Sequence, residues 1–385
     1  MSDGGEQTLA QAYATGGGQW PVGYDDWEAN AKSKLEQAAF DYVAGGAGTE
    51  ATMRANLEAF YRWRLRPKML RDTQRRDLAT SVLGTRSPAP LMLAPIGVQS
   101  IVHDEGELAV ARAAAATGVP MVVSTAASTP MEEIAGALGN TPRWYQLYWV
   151  NDREVVESLV RRAEAAGYGA IVLTLDTLSI GWRDRDLRNA AFLPFLAGKG
   201  IAQFTSDPVF RSRLAETPEE NLLAAGLAWV AMFPNLGLTW ADCAWLRQLT
   251  SLPLLAKGVL TAEDAGRALD AGFDGVIVSN HGGRQVDGAV AALDALPEVR
   301  VTVGDTFPVL MDSGVRRGAD VVKAVALGAD AVLLGRPYAW GLAVGGQAGV
   351  EDVIKAMIAE IDLTMALVGA RNPGELDTSF LVSAP

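Results

Sequence analysis

The residues best suited by type and spacing to do chemistry lie in the segment SNHGGRQVDG, residues 279–288. His281 ends a short apolar run, GVIVSNH, and imidazole gains and loses a proton near neutral pH, so it fits a general base. Gly282 and Gly283 follow, where a backbone without Cβ atoms can approach a ligand closely, and Arg284 stands one short turn further on. With only two histidines in the chain, a purely structural role for this one is the weaker reading. His103 is read the other way, because in VHDEGE it leads into a helical stretch where capping or surface exposure accounts for it.

Other polar residues fall in the same kind of place. Ser124, Gln146, Tyr148, Thr174, Asp176, Lys257, Ser279, Asp312 and Arg336 each stand at the end of a short apolar run. The runs are LMLAPIG (91–97), PMVVST (120–125), RWYQLYW (143–149), AIVLTLD (170–176), PLLAKG (253–258), GVIVSNH (275–281), PVLMDSG (308–314) and AVLLGR (331–336), eight in all. They alternate with amphipathic stretches, the pattern of buried parallel strands joined by helices. A (β/α)₈ TIM barrel builds its active site at the C-terminal ends of its strands, so eight runs ending in polar or glycine residues point to that fold. Taken singly, such residues start loops and cap helices; in series, with so many different polar groups, they favour a site. A doubly wound open sheet is the alternative, but it would favour a GxGxxG turn after the first strand, and APIGVQS is not one.

One connection is abnormally long. Roughly 50 residues separate Asp186 from a helix expected near Thr239, against the usual 2 to 6 of such loops. Phe192, Phe195, Phe204, Phe210, Trp229, Phe233 and the stretch NLLAAGLAWVAMF predict partial helicity and partial packing there. This long loop after the fourth strand, about 187–238, is read either as a lid or as an oligomer contact. The glycine-rich start, residues 1–23, is expected to be a flexible tail, and residues 24–385 one barrel domain with an N-terminal helical extension.

The formal charge of −12 opposes nucleic-acid and anionic-membrane partners, so an anionic substrate needs a local basic site. Cys243 is the only cysteine, which rules out an internal disulfide, and with two histidines a structural zinc site lacks ligands. A reducing, cytoplasmic setting is favoured, and no uninterrupted apolar stretch reaches the length of a membrane span.

The SNHGGRQxDG segment is also the signature of the FMN-dependent 2-hydroxy-acid oxidases and dehydrogenases, a family the chain resembles from about Asp41 to about Asp377. Within it, DYVAGGAG, APIGV, LDTLSIGWRDRDL, SDPVF, GRPYAWG and the long insertion are most similar to lactate 2-monooxygenases. The resemblance implies FMN as cofactor, no metal, a small L-2-hydroxy acid such as L-lactate and O2 as substrates, and a homo-oligomer, tetrameric or octameric. It makes His281 the base and Asp176 the carboxylate that orients it. It has Tyr42 and Tyr148 point hydroxyls at the substrate, and Arg183 and Arg284 clamp the substrate carboxylate, a task suited to a guanidinium fork. For FMN it implies the backbone of Ala94, Pro95, Ile96 and Gly97, the side chains of Ser124, Gln146 and Thr174, Ser279 nearby, and Lys257 beside N1 and the C2 carbonyl. Asp312 would hold the ribityl chain, and Gly314, Arg316, Gly335 and Arg336 the phosphate, after strands seven and eight where such barrels commonly bind it.

The departures bear on specificity and outcome. Trp182 replaces the first arginine of a frequent pair, a change shared with the monooxygenases, and leaves Arg183 in place. Ala126 stands where glycolate-type members carry tryptophan; with Ile180 it makes room for acids larger than glycolate. Gly97 stands where many oxidases carry alanine. The expected outcome is lactate 2-monooxygenation, with pyruvate held while peroxide converts it to acetate, carbon dioxide and water. The alternatives are an oxidase that releases keto acid and hydrogen peroxide, or a dehydrogenase that uses another acceptor. A different FMN barrel enzyme, or a non-catalytic binding protein, would not need both arginines and His281 together.

Overall fold

A computed structural model describes residues 4–15, 20–189 and 193–384. Eight parallel strands close into a barrel: β1 Leu91–Leu93, β2 Met121–Ser124, β3 Arg143–Leu147, β4 Ile171–Thr174, β5 Leu254–Val259, β6 Gly275–Val278, β7 Val309–Met311 and β8 Ala331–Leu334. Seven lie within the apolar runs, and β5 overlaps its run and extends one residue past it to Val259. Alternation along the strands divides the core, as a period of two requires. Met92, Val122, Trp144, Val172, Leu255, Ile277, Leu310 and Leu333 form an inner cluster, while Leu91, Leu93, Val123, Leu147 and Leu173 join the larger core shared with the helices.

Apart from β5 the strands are shorter than the runs, and most of the difference falls at the polar ends. β1 stops before Ala94–Gly97, β4 before Asp176, β6 before His281, β7 before Asp312 and β8 before Gly335. Apolar residues fill the ladder, and the polar ones turn out of it into the loops that form the site. A hairpin, Thr80–Val82 and Thr85–Ser87, sets Val82 and Leu83 against the inner cluster, and Thr85 Oγ1 accepts a hydrogen bond from Trp144 Nε1 at 2.8 Å.

The N-terminal extension is helical: Tyr24–Lys34, Gln37–Ala44 and Ala51–Tyr61. It carries Tyr42 and Val43 to the mouth of the barrel. Part of the expected flexible tail is corrected, because Gly4–Thr15 forms a helix that packs against the C-terminal helical segment Arg336–Val368, which kinks at Gly345–Gly346. The packing is close, since a Cβ on Gly5 would fall 2.5 Å from Asp362 Oδ2. Residues 1–3 and 16–19 of that tail lie outside the described residues.

The long segment between β4 and β5 is built of short helices, Asp184–Arg188, Leu193–Leu196, Ala202–Thr205 and Pro208–Arg211, and a longer one, Leu222–Met232. Phe192 lies outside the described residues. The segment is fastened to the helix Arg153–Ala165: the fully buried Asp207 accepts from Ser158 Oγ at 2.7 Å and pairs with Arg162 at 3.1 Å. The same carboxylate caps Pro208–Arg211 through Val209 N and Phe210 N. Leu187, Phe195, Trp229 and Phe233 line the cavity at the barrel mouth. Among the described residues no helix is long and apolar enough to cross a membrane.

Candidate active site

The site is organised around a turn. After β6 the backbone enters a tight turn at His281–Gly283, where His281 has φ 58°, a left-handed conformation uncommon for a residue with a Cβ. The turn is held from within the chain: Ser279 Oγ accepts from His281 N at 3.0 Å, and Asn280 Oδ1 accepts from Gly283 N at 3.0 Å. Asn280 Nδ2 donates to Asn56 Oδ1 at 2.7 Å, which ties the turn to the N-terminal extension.

His281 Nδ1 lies 2.9 Å from Asp176 Oδ1 and 3.0 Å from Thr177 Oγ1, and its Nε2 faces the Tyr148 hydroxyl at 3.5 Å. Thr177 Oγ1 donates to Asp176 Oδ1 at 2.8 Å, so both groups converge on one carboxylate oxygen. Asp176 reaches this position because β5 bulges at Gly258, whose φ is +104°; a Cβ there would lie 2.7 Å from Asp176 Cβ. Burial pushes the Asp176 carboxyl up, but His281 and Lys257 outweigh it and hold the carboxyl below its ordinary value. Burial lowers the His281 imidazole and Asp176 only partly opposes it, so the ring is neutral at pH 7 with its free nitrogen able to take a proton.

A pair of arginines stands beside the histidine. Arg183 Nε donates to Arg284 O at 2.9 Å, and its Nη2 donates to Gln285 Oε1 at 2.9 Å. Arg284 Nη1 donates to Tyr42 O at 2.5 Å and Gly45 O at 3.0 Å, with its guanidinium 5.0 Å from the centre of the Tyr42 ring. Burial and the adjacent Arg284 bring Arg183 down to about 10, which leaves it charged at neutral pH. Burial raises the phenols of Tyr42 and Tyr148 above their ordinary value, so both remain protonated donors.

His281, Arg183, Arg284, Tyr42 and Tyr148 line one cavity of about 540 Å³. Lys257, Asp312, Gly314, Arg316, Gly335 and Arg336 line the same cavity, as do the loop Ala94–Gly97, Ala126 and Ile180. A cavity that holds a base, a pair of arginines and further basic residues suits a large anionic cofactor with a small acid beside it. The sequence matches the FMN-dependent dehydrogenase family over residues 31–383.

The chain belongs to this family. It is 46% identical to an L-lactate oxidase of a Nostoc species over 364 residues, 94% of this chain and 98% of that one. It is 44% identical to 2-hydroxyacid oxidase 1 of Homo sapiens over 363 residues, 94% of this chain and 96% of that one. A crystal structure of mandelate oxidase superposes with a TM-score of 0.84 at 40% identity, covering 95% of this chain and 99% of the other. This member of the family uses FMN and oxidises L-2-hydroxy acids. The narrower likeness to lactate 2-monooxygenases expected from the sequence is not what these relatives carry; all three are named as oxidases.

The residues fit the cofactor. Lys257 Nζ donates to Ser279 Oγ at 2.8 Å and pairs with Asp312 at 3.1 Å; burial works against its charge, but Asp312 and Asp176 outweigh it. A buried ammonium is therefore retained in the wall. Gly335 and Arg336 start the helix Arg336–Val368, an N-terminus that favours a phosphate, and Arg316 Nε is buried with no partner of its own. The loop Ala94–Gly97 packs hard against the loop after β2: a Cβ on Gly97 would lie 2.8 Å from Ala126 Cβ.

Two parts of the expected cofactor set also make contacts within the protein. Ser124, Gln146, Thr174 and Ser279 are buried at or next to the C-terminal ends of their strands. Ser124 Oγ donates to Gln146 Oε1 at 3.1 Å, and Gln146 Nε2 donates to Thr174 Oγ1 at 2.9 Å, a chain that stiffens the wall. Arg336 reaches the cavity, but its guanidinium donates to the carbonyls of Val43 at 2.8 Å, Gly45 at 2.8 Å and Gly282 at 3.1 Å. It fastens the N-terminal extension to the histidine turn.

Three residues were not singled out from the sequence. Thr177 shares the Asp176 oxygen with His281. Gln285 donates to the carbonyls of Asp176 at 2.9 Å and Ser179 at 2.8 Å, joining the β4 and β6 loops. Asp186 lies between the two arginines. Gln285 stood inside the signature segment and Asp186 inside GWRDRDL, but only a neighbour across the barrel gives either residue its role.

Proposed function

We propose that the chain is an L-2-hydroxy-acid oxidase acting on L-lactate or a similarly small acid and releasing the keto acid and hydrogen peroxide. The observation that carries this is the single cavity shared by His281, whose Nδ1 is engaged by Asp176, and the paired guanidiniums of Arg183 and Arg284. The relative named L-lactate oxidase supports the substrate and the outcome.

Arg183 and Arg284 hold the substrate carboxylate, and Tyr42 and Tyr148 present protonated hydroxyls to it and to the 2-hydroxyl. His281 receives the substrate proton at Nε2, because Nδ1 is committed to Asp176. Asp176 keeps its charge and stabilises the imidazolium that results. Bound FMN would supply the acceptor for the two electrons lost by the substrate, with O2 as the final oxidant. Lys257 supplies a fixed positive charge in the cofactor wall, and Arg316 with the helix start at Gly335 holds the phosphate. Ala126 and Ile180 leave room for a methyl or larger group on C2.

A second reading, lactate 2-monooxygenation, is favoured by one observation: the long segment after β4 sets Phe195, Trp229 and Phe233 into the cavity, where as a lid they would slow departure of pyruvate. Product analysis by NMR with a peroxide assay, catalase absent, separates the two. Stoichiometric pyruvate and peroxide are expected. Acetate and carbon dioxide without free peroxide would assign the monooxygenase outcome. Reduced flavin that persists in air until an artificial acceptor is added would assign a dehydrogenase.

A further inference from the structure

We propose that Asp186 sets the charge that the anion site accepts, restricting the enzyme to 2-hydroxy acids with a single carboxylate. The proposal rests on the reading of Arg183 and Arg284 as the carboxylate clamp. Asp186 lies in the short helix Asp184–Arg188 at the root of the lid, and its Oδ2 is 3.6 Å from Arg183 Nη1 and 3.9 Å from Arg284 Nη2. Those separations are too long for hydrogen bonds but short for charges. Its Oδ1 is buried with no partner. Among the described residues it is the one carboxylate that pairs with either guanidinium.

The other partners of the arginines are the carbonyls of Arg284, Tyr42 and Gly45 and the amide of Gln285, which orient the guanidiniums without neutralising them. Asp186 alone changes the charge. Two guanidiniums and one carboxylate leave a single positive charge, which one substrate carboxylate balances. A second carboxylate on the same substrate would stand uncompensated in a desolvated pocket, near an aspartate oxygen that already lacks a donor. Asp186 is also fixed in place. On the same helix Arg185 pairs with Glu50 at 2.7 Å and Asp41 at 3.5 Å, and Asn189 just beyond it donates to Asp41 Oδ2 at 2.6 Å. The aspartate is held against the arginines from the N-terminal extension and does not depend on substrate to be there.

The test uses the FMN-loaded full chain and two unreactive anions, propionate and succinate, titrated against the flavin absorbance. The unmodified protein is expected to bind propionate more tightly than succinate. In Asp186→Asn, Coulomb energy scales with ligand charge, so propionate should tighten by about threefold and succinate by about tenfold. Asp186→Glu should restore the original preference. Equal changes for the two anions, or weaker binding of both, would overturn the proposal and leave Asp186 as a positioning residue for the arginines. Tighter succinate than propionate in the unmodified protein would also overturn it, whether or not the variants fold. If neither anion perturbs the unmodified flavin, the clamp reading itself falls and takes this inference with it.

Discussion

His281 Nδ1 and Asp176 Oδ1 lie 2.9 Å apart, and that contact decides which imidazole nitrogen is left for the substrate. Burial lowers the imidazole and Asp176 opposes the fall, so removing the carboxylate should lower its pKa further. Flavin reduction needs the neutral ring and is lost as pH falls through that pKa. Asp176→Asn should therefore move the acid limb of the profile to lower pH while the plateau drops by about 10²-fold. His281→Asn should slow reduction by about 10²–10⁴-fold at every pH with FMN still bound. Anaerobic stopped-flow across pH checks both; an acid limb that moves upward in Asp176→Asn would contradict the pairing.

Arg284 spends one nitrogen on two carbonyls, sets Nη2 3.9 Å from Asp186 Oδ2 and lines the cavity. Lysine has no fork. Arg284→Lys should raise KM for L-lactate by roughly 30-fold, equivalent to about 2 kcal/mol of charge-assisted hydrogen bonding, with the flavin spectrum little changed. A changed spectrum with unaltered KM would place Arg284 in the cofactor site instead.

The lid depends on Asp207, which has no exposed side-chain surface and pairs with Arg162 at 3.1 Å. Arg162→Met leaves that carboxylate without its cation and should destabilise the lid by about 3 kcal/mol. Limited proteolysis should then cut between residues 193 and 238, while flavin reduction stays within about threefold because the clamp and base lie outside the segment. Resistance to cleavage equal to that of the unmodified protein would show that the lid is held elsewhere.

Stability has a separate anchor far from the chemistry. Arg76 donates to both oxygens of Asp362, at 2.7 and 2.9 Å, and the two side chains are only 4% and 2% exposed. Asp362→Ala removes the bidentate partner of a buried guanidinium and should reduce stability by about 3 kcal/mol. Urea unfolding of the FMN-loaded protein measures it, and a midpoint unchanged from the unmodified protein would refute the assignment.

The barrel and the identity of its polar residues were legible in the sequence, because burial leaves a direct trace in the order of residue types. A strand covered on both faces must be apolar throughout, so LMLA, AIVLT and GVIV could be read as strands without knowing their neighbours. The polar groups that close each run were legible for the same reason, and His281 stood out because so few histidines compete with it. Which of these groups touch was decided by the tertiary structure. Asp176 reaches His281 only because β5 bulges at Gly258, and Asp186 reaches Arg183 and Arg284 only because Arg185 ties its helix to Asp41 and Glu50. Arg336 could be read as a cavity residue, but that it also braces Val43, Gly45 and Gly282 shows only in the structure. The helix Gly4–Thr15 was missed because its glycine-rich start has little helical preference of its own and forms against the face of Arg336–Val368. Periodicity records what each residue must hide from water, a local property; the pairing of charges across loops from opposite sides of a closed barrel is a property of distance, which residue order alone does not contain.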